Sequence, residues 1–175
     1  MEKQLIPPVL IETPRLVLRH FYQGDAQGVF EFNQHPEMLK YIPGDPILSS
    51  VAEAAQIIEN VWLNEYRQYG YARYAVILKG EINPIGFAGF KFEPEFGFPD
   101  LGYRIAPPFW GKGLISEAVD ALLVYGKTTL ELNKIVAIAA VDNAAYNRIL
   151  QKFNFKQTNT LVEHGMPHYF YEKLL

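Results

Sequence analysis

Gly111, Lys112 and Gly113 form a Gly-x-Gly turn between a short apolar run and a longer segment with an apolar stripe. Glycine lets the backbone approach an anion closely, and the free N–H groups and dipole of a helix start favour negative charge. Such a turn can cradle a phosphate, or it can simply be a tight connection; the three residues alone fit both. Two nucleotide-binding patterns fail on spacing. The dinucleotide fingerprint G-x-G-x-x-G finds Ser116 where its third glycine belongs. The P-loop pattern finds Ala121 in place of its first glycine, ahead of Gly126-Lys127-Thr128, and those residues fall within a helical stretch. His164 and His168 are four apart, as metal ligands on a helix can be, but Gly165 and Pro167 between them predict a loop, and no metal is expected. The chain has no cysteine, which excludes disulfides, thiolate nucleophiles and Cys-ligated zinc.

The elements that must carry this turn are legible in outline. Arg15 to Phe21 reads as a first strand after Thr13-Pro14, and Gly24-Asp25 offers an N-cap for a short helix over Ala26 to Asn33. His35-Pro36 marks a second helical start. Ser50 and Glu53 form a capping box for a third helix, with Ile57, Ile58, Val61, Trp62 and Tyr66 in helical period and an end near Gly70. Arg73 to Leu78 and Ile85 to Phe92 predict an antiparallel hairpin. Leu101 to Ala106 is a further strand before the glycine turn, and Leu114, Ala118, Ala121, Leu122 and Tyr125 stripe a helix reaching about Leu130. The apolar run Lys134 to Val141 suits a central strand covered on both faces. Asp142-Asn143 caps a helix to about Phe153, and strands near Phe155 to Val162 and His168 to Leu174 follow. This order predicts an α/β protein with a sheet of mixed direction.

The 175 residues fit a single domain over 1–175, and 49% hydrophobic against 20% charged residues is ample material for a core. A formal net charge of -3 leaves no excess of positive charge for binding nucleic acid or an anionic membrane. The opening MEKQLIPPVLIETPRL lacks a signal peptide's apolar run, and no stretch approaches the roughly 20 apolar residues that span a bilayer, so a cytoplasmic location is expected.

Asp100-Leu101-Gly102-Tyr103-Arg104-Ile105, then Pro108-Phe109-Trp110-Gly111-Lys112-Gly113 with Glu117-Ala118, resembles the central signature of the GNAT acetyltransferases. Asn143, Tyr146, Ile149, Lys152 and Phe155 keep the spacing of that family's second signature, and the segments TPRLVLR and HPEMLKYI are similar to its ribosomal-protein N-terminal acetyltransferase (RimJ/RimL-like) subgroup. The resemblance implies a largely antiparallel sheet with a splayed central strand pair. It implies acetyl-CoA as co-substrate, with no metal, and an amine acceptor that is either a protein N-terminus or a small molecule such as a polyamine, amino acid or aminoglycoside. A non-catalytic acyl-CoA sensor is the alternative. The protein would act as a monomer or homodimer.

In residue terms, the resemblance places the coenzyme's pyrophosphate on the backbone N–H groups of Trp110, Gly111, Lys112, Gly113, Leu114 and Ile115. It places the pantetheine arm beside Arg104, Ile105 and Ala106, with Asn143 bonding the arm from the other side. A β-bulge near Ile105 would expose an N–H to the thioester carbonyl. Transfer needs a neutral amine to attack and a thiol to leave, hence a base and an acid. Asp100, where the subgroup often has Glu, is the expected base, with Glu93 and Glu95 as competitors; Tyr146, where the subgroup usually has Ser, is the expected acid. Two further departures are Ile115, bulkier than usual at the end of the pyrophosphate signature, and Asn154, which replaces a glycine before Phe155 but can adopt its left-handed conformation. Tyr22, Phe30, Tyr41, Trp62 and Tyr66 are candidates for core or for an acceptor pocket.

Overall fold

The structure is a computed structural model that describes residues 5–42, 44–45 and 47–175. Residues 1–4, which begin the segment read as lacking a signal peptide, lie outside the described residues.

Strands Val9–Glu12 (β1), Leu16–Arg19 (β2), Arg73–Leu78 (β3), Gly86–Glu93 (β4), Phe98–Ile105 (β5), Lys134–Ala140 (β6), Lys156–Glu163 (β7) and Met166–Leu174 (β8) form one sheet in the order β1-β2-β3-β4-β5-β6-β8-β7. All neighbours are antiparallel except β5 and β6, which run parallel. The expected mixed sheet is thus present. β1 is the strand that the sequence reading missed: four residues after Pro7-Pro8 give too short a pattern to detect.

Helices Ala26–Phe32 (α1), Val51–Ile57 (α2) and Asn64–Tyr69 (α3) precede β3, while Leu114–Thr128 (α4) and Ala144–Lys152 (α5) flank β6 in sequence. Half of the expected capping box is formed: Ser50 Oγ accepts from the Glu53 N–H at 3.2 Å, but the Glu53 carboxylate reaches one residue further back and accepts from the N–H and the hydroxyl of Ser49, not from the Ser50 N–H. α2 and α3 are joined through a π-helical turn, Ile58–Leu63, which buries Ile58 and Trp62 on the core side. Asp25 stands at the N-cap of α1 but spends its carboxylate elsewhere, on a bidentate pair with the buried Arg19 at 2.7 and 2.8 Å.

Two apolar layers cover the sheet. Leu16, Leu18, Tyr74, Val76, Phe90, Leu101 and Ile135 pack with Leu114, Ala118, Val119 and Leu122 of α4 and Leu150 of α5. Ala75 and Ile77, which alternate with Tyr74 and Val76, pack on the other side with Val29 and Phe32 of α1 and with Ala54, Ile58 and Trp62. The period-two alternation along β3 is what allows one strand to serve both layers. Among the described residues, no helix is long and apolar enough to cross a membrane.

Candidate active site

β5 and β6 meet in register only at Asp100↔Val136. Beyond that pair they part, so a wedge opens toward the carboxyl ends of both strands, where an open α/β sheet places its ligands. At the mouth of the wedge stand the Gly111–Gly113 turn ahead of α4 and Asn143 ahead of α5.

The expected β-bulge near Ile105 is absent. β5 keeps an unbroken register with β4 from Gly86↔Ile105 to Glu93↔Phe98, so no extra residue is inserted. Backbone groups are freed toward the wedge by the parting of β5 from β6 instead. The alternation of the ladder then divides the three residues expected beside the coenzyme. The Ala106 N–H is committed to the Ile85 carbonyl at 2.9 Å, so the even-numbered residues turn their backbone toward β4 and the odd-numbered ones face the wedge. The Ile105 backbone faces the wedge. Ala106 is buried in the second layer, and the Arg104 side chain turns to that face too, donating to Asn33 Oδ1 at 2.7 Å, pairing with Asp45 and lying over the Phe87 ring.

Two of the wedge-facing carbonyls that β6 does not reach are taken by side chains. The Tyr146 hydroxyl donates to the Leu101 carbonyl at 3.1 Å, and the Trp110 indole N–H donates to the Ile105 carbonyl at 2.7 Å. The Tyr146 ring stacks on Tyr103 with centroids 4.2 Å apart. Burial pushes the Tyr146 phenol up, as does the Asp100 charge, against the pull of Arg73. A phenol so placed stays protonated.

Gly111 and Gly113 have φ of 71° and 75°, conformations that a side chain rarely adopts. A Cβ on Gly111 would meet nothing within 4 Å, so the space over the turn is open. Gly113 is the N-cap of the fifteen-residue α4 and brings no side chain to its first amides. The turn therefore fits a phosphate. The Lys112 ammonium lies 5.7 Å from the Phe109 ring. Ile115 packs against the first apolar layer. Asn143 caps α5, accepting from the Tyr146 N–H at 3.2 Å through Oδ1; its Nδ2 is a donor at the wedge mouth. Asn154 adopts φ 59°, the left-handed conformation expected of it.

The sequence reading missed what holds the turn in place. Glu117, in the first turn of α4, accepts from the Thr13 hydroxyl at 2.6 Å, the Arg15 N–H at 2.8 Å and Arg15 Nε at 2.7 Å, while Arg15 Nη1 donates to the Lys112 carbonyl at 2.8 Å. Burial by itself would raise the Glu117 carboxyl, but the bonds from Thr13 and Arg15 outweigh it and hold the group below the ordinary Glu value. A depressed carboxylate contributes stability that is present above its unfolded pKa and lost as pH falls through its folded one. The stability advantage of wild type over Glu117→Gln, read from urea unfolding, is therefore expected to be full at pH 7 and to shrink progressively below about pH 4.3, the ordinary Glu value. An advantage independent of pH would contradict this account of the clamp.

Asp100 stands at the root of the wedge. Its Oδ2 accepts from Arg73 Nη2 at 2.6 Å, and both side chains are largely buried. Burial pushes the carboxyl above the ordinary Asp range, and the Arg73 guanidinium pulls it back. Glu93 is paired with Lys91 at 2.7 Å, and Glu95 is exposed in the turn beyond β4. Of the aromatic candidates, Trp62 stacks on Phe21 in the core, and the Tyr66 hydroxyl is spent on the Arg73 carbonyl. His164 lies in the turn between β7 and β8, and His168 is buried on β8 with Nδ1 2.9 Å from the Met166 carbonyl.

Comparison with known proteins adds to this geometry. The family model for an acetyltransferase (GNAT) domain matches residues 15–156. The uncharacterised N-acetyltransferase p20 of Bacillus licheniformis is 33% identical over 151 residues, covering 85% of this chain and 83% of that protein. The ribosomal protein uS5-alanine N-acetyltransferase of Escherichia coli is 28% identical over 164 residues, covering 87% and 80%. Among solved structures, a GNAT-family acetyltransferase from Bacillus anthracis superposes with a TM-score of 0.79 at 24% identity, over 94% of this chain and 97% of that one. A ribosomal-protein α-N-acetyltransferase, RimL, in complex with coenzyme A superposes with a TM-score of 0.83 at 18% identity, over 96% and 98%.

Proposed function

The chain belongs to the GNAT acetyltransferase family and is an acetyl-CoA-dependent N-acetyltransferase; from that premise we propose that it acetylates the N-terminal amine of a protein. The observation that carries the choice of acceptor is the likeness to the uS5-alanine N-acetyltransferase over most of both chains.

The coenzyme supplies an activated acyl thioester, so the chain's own groups need only orient it and move protons. The amides of Gly111 to Ile115 hold the pyrophosphate, in keeping with the open turn and uncapped helix start; the Trp110 N–H, expected to join them, is instead spent on the Pro107 carbonyl at 3.0 Å, closing the short turn before the glycines. Ile105, facing the wedge, aims its N–H at the thioester carbonyl and steadies the oxyanion that develops there. Asn143 Nδ2 bonds the arm from the α5 side. Asp100 takes the proton that the attacking amine must lose, directly or through one water, and Tyr146 gives its phenolic proton to the departing thiolate. The new amide bond forms as the thioester C–S bond breaks, and the two protein groups are restored by proton exchange with solvent.

The test is release of coenzyme thiol from acetyl-CoA with a panel of amines. Because the chain contains no cysteine, a thiol reagent reads the product without background from the protein. Release that requires a peptide's free N-terminus, and disappears when that amine is blocked, is the expected result. Release with polyamines or aminoglycosides but with no peptide would overturn the acceptor assignment.

A further inference from the structure

The Arg73 side chain crosses the sheet. Arg73 lies on β3 opposite Gly89 of β4, and Gly89 lies opposite Gly102 of β5, so a row of two glycines separates it from the strand that carries Asp100. Over that row its guanidinium donates from Nη1 to the Gly89 carbonyl at 2.7 Å and the Asp100 carbonyl at 2.5 Å, and from Nη2 to Asp100 Oδ2 at 2.6 Å. A side chain at Gly102 would run into this guanidinium, meeting Cζ at 2.6 Å. A side chain at Gly89 would meet backbone, the Ala72 carbonyl, at 2.5 Å. Three bonds fix the guanidinium and occupy Oδ2, while Oδ1 makes no hydrogen bond among the described residues.

We infer that Arg73 is a positioning residue for catalysis, which keeps the Asp100 carboxylate ionised and presents its Oδ1 to the acceptor amine, and that Gly102 is the clearance that lets it do so. The inference rests on the reading of Asp100 as the base. It gives a physical reason for a glycine inside a strand, where the residue otherwise weakens pairing. The charged and titratable groups around the carboxylate are Arg73 on β3, Lys91 and Glu93 on β4 and Tyr146 on α5, with Glu65 of α3 acting on Arg73 and Lys91 in turn. Arg73 is the cation bonded to Asp100; Lys91 is paired with Glu93.

Gly102 allows a test that removes no charge. Its φ is not in the left-handed region, and the atoms an added methyl would meet are the far end of a flexible side chain, so Gly102→Ala should fold while displacing the guanidinium. The probe is the ¹³C carboxyl signal of Asp100, assigned by its loss in Asp100→Asn and followed against pH in wild type, Arg73→Met, Gly102→Ala and the double variant. This readout needs no acceptor. Loss of the neighbouring cation should raise the midpoint of Arg73→Met by about 1 to 3 pH units, the usual effect of one close opposite charge. Gly102→Ala should move it in the same direction, and the double variant should match Arg73→Met alone, because the methyl acts only through Arg73. The acidic limb of kcat/KM should follow these midpoints while acetyl-CoA affinity stays near wild type. Unchanged midpoints in both single variants would overturn the inference. A Gly102→Ala shift that adds to that of Arg73→Met would overturn the clearance role. Full turnover in Asp100→Asn would instead sink the reading of Asp100 as base, whatever the midpoints do.

Discussion

Asp100→Asn lowers kcat by about a hundred-fold to ten-thousand-fold, the range for losing a positioned base, and leaves acetyl-CoA affinity unchanged. Asparagine is nearly isosteric and can still accept from Arg73, so the fold and the wedge are kept while proton acceptance is lost. An amine must be neutral to attack, and one held as ammonium at pH 7 reacts only after some group removes a proton. The carboxylate of Asp100 lies at the one in-register β5–β6 pair, where the wedge begins. In the wild type, burial lifts this carboxyl above the ordinary Asp range, which brings it nearer the operating pH and makes it a stronger base. The base acts in its ionised form, so kcat/KM should rise as pH increases through that raised value. Steady-state kinetics across pH, with calorimetric titration of acetyl-CoA, check both halves of the expectation. Wild-type turnover in Asp100→Asn would remove it from the mechanism and bring Glu93 forward. Tyr146→Phe provides the matching control on the acid side: its ring can keep the stack on Tyr103 and its helix can keep the Asn143 cap, so a fall in kcat would report the phenolic proton.

Gly113→Val acts on the other substrate. Valine at φ 75° is a backbone outlier costing roughly 1 to 3 kcal/mol, and the cheapest relief is to turn the peptide units on either side. That rotation swings the amides of the turn away from the phosphate. Each lost bond to a charged group is worth about 1.5–3 kcal/mol, so acetyl-CoA affinity should fall by ten-fold or more with only modest loss of stability, because the turn is exposed. Isothermal titration measures the first quantity and urea unfolding the second. Wild-type affinity would contradict the placement of the pyrophosphate.

The sequence was most informative where a local pattern and a chemical need coincided. Ser50 with Glu53, the apolar stripe of α4 and the Asn143 cap depend on neighbours a few residues apart, and the structure has each of them. The glycine turn was legible for the same reason. Its clamp was not, because Thr13 and Arg15 meet Glu117 across more than a hundred residues of chain, and no spacing rule joins them. Arg73 was hidden in the same way. Its partner depends on the registers of two strand pairs and on which face each residue takes, and a sequence without pairing information supplies neither. The bulge expected near Ile105 was an error of mechanism more than of place: the backbone is freed there, but by the divergence of a parallel neighbour, and Arg104 and Ala106 turn away because a regular ladder alternates.

The clamp also bears on the order in which the molecule is assembled. Contacts between distant parts of a chain form late, since closing a long loop costs entropy that only later contacts offset. Thr13 and Arg15 leave the ribosome about a hundred residues before Glu117 does, so the glycine turn has no anchor until Glu117 has been made. A nascent chain that has completed β1 to β5 has the carboxylate of Asp100 and its arginine in hand but no fixed seat for the coenzyme. On the reading of Asp100 as the base, the groups that would take up the proton are thus made before the turn that would seat the acyl donor is anchored.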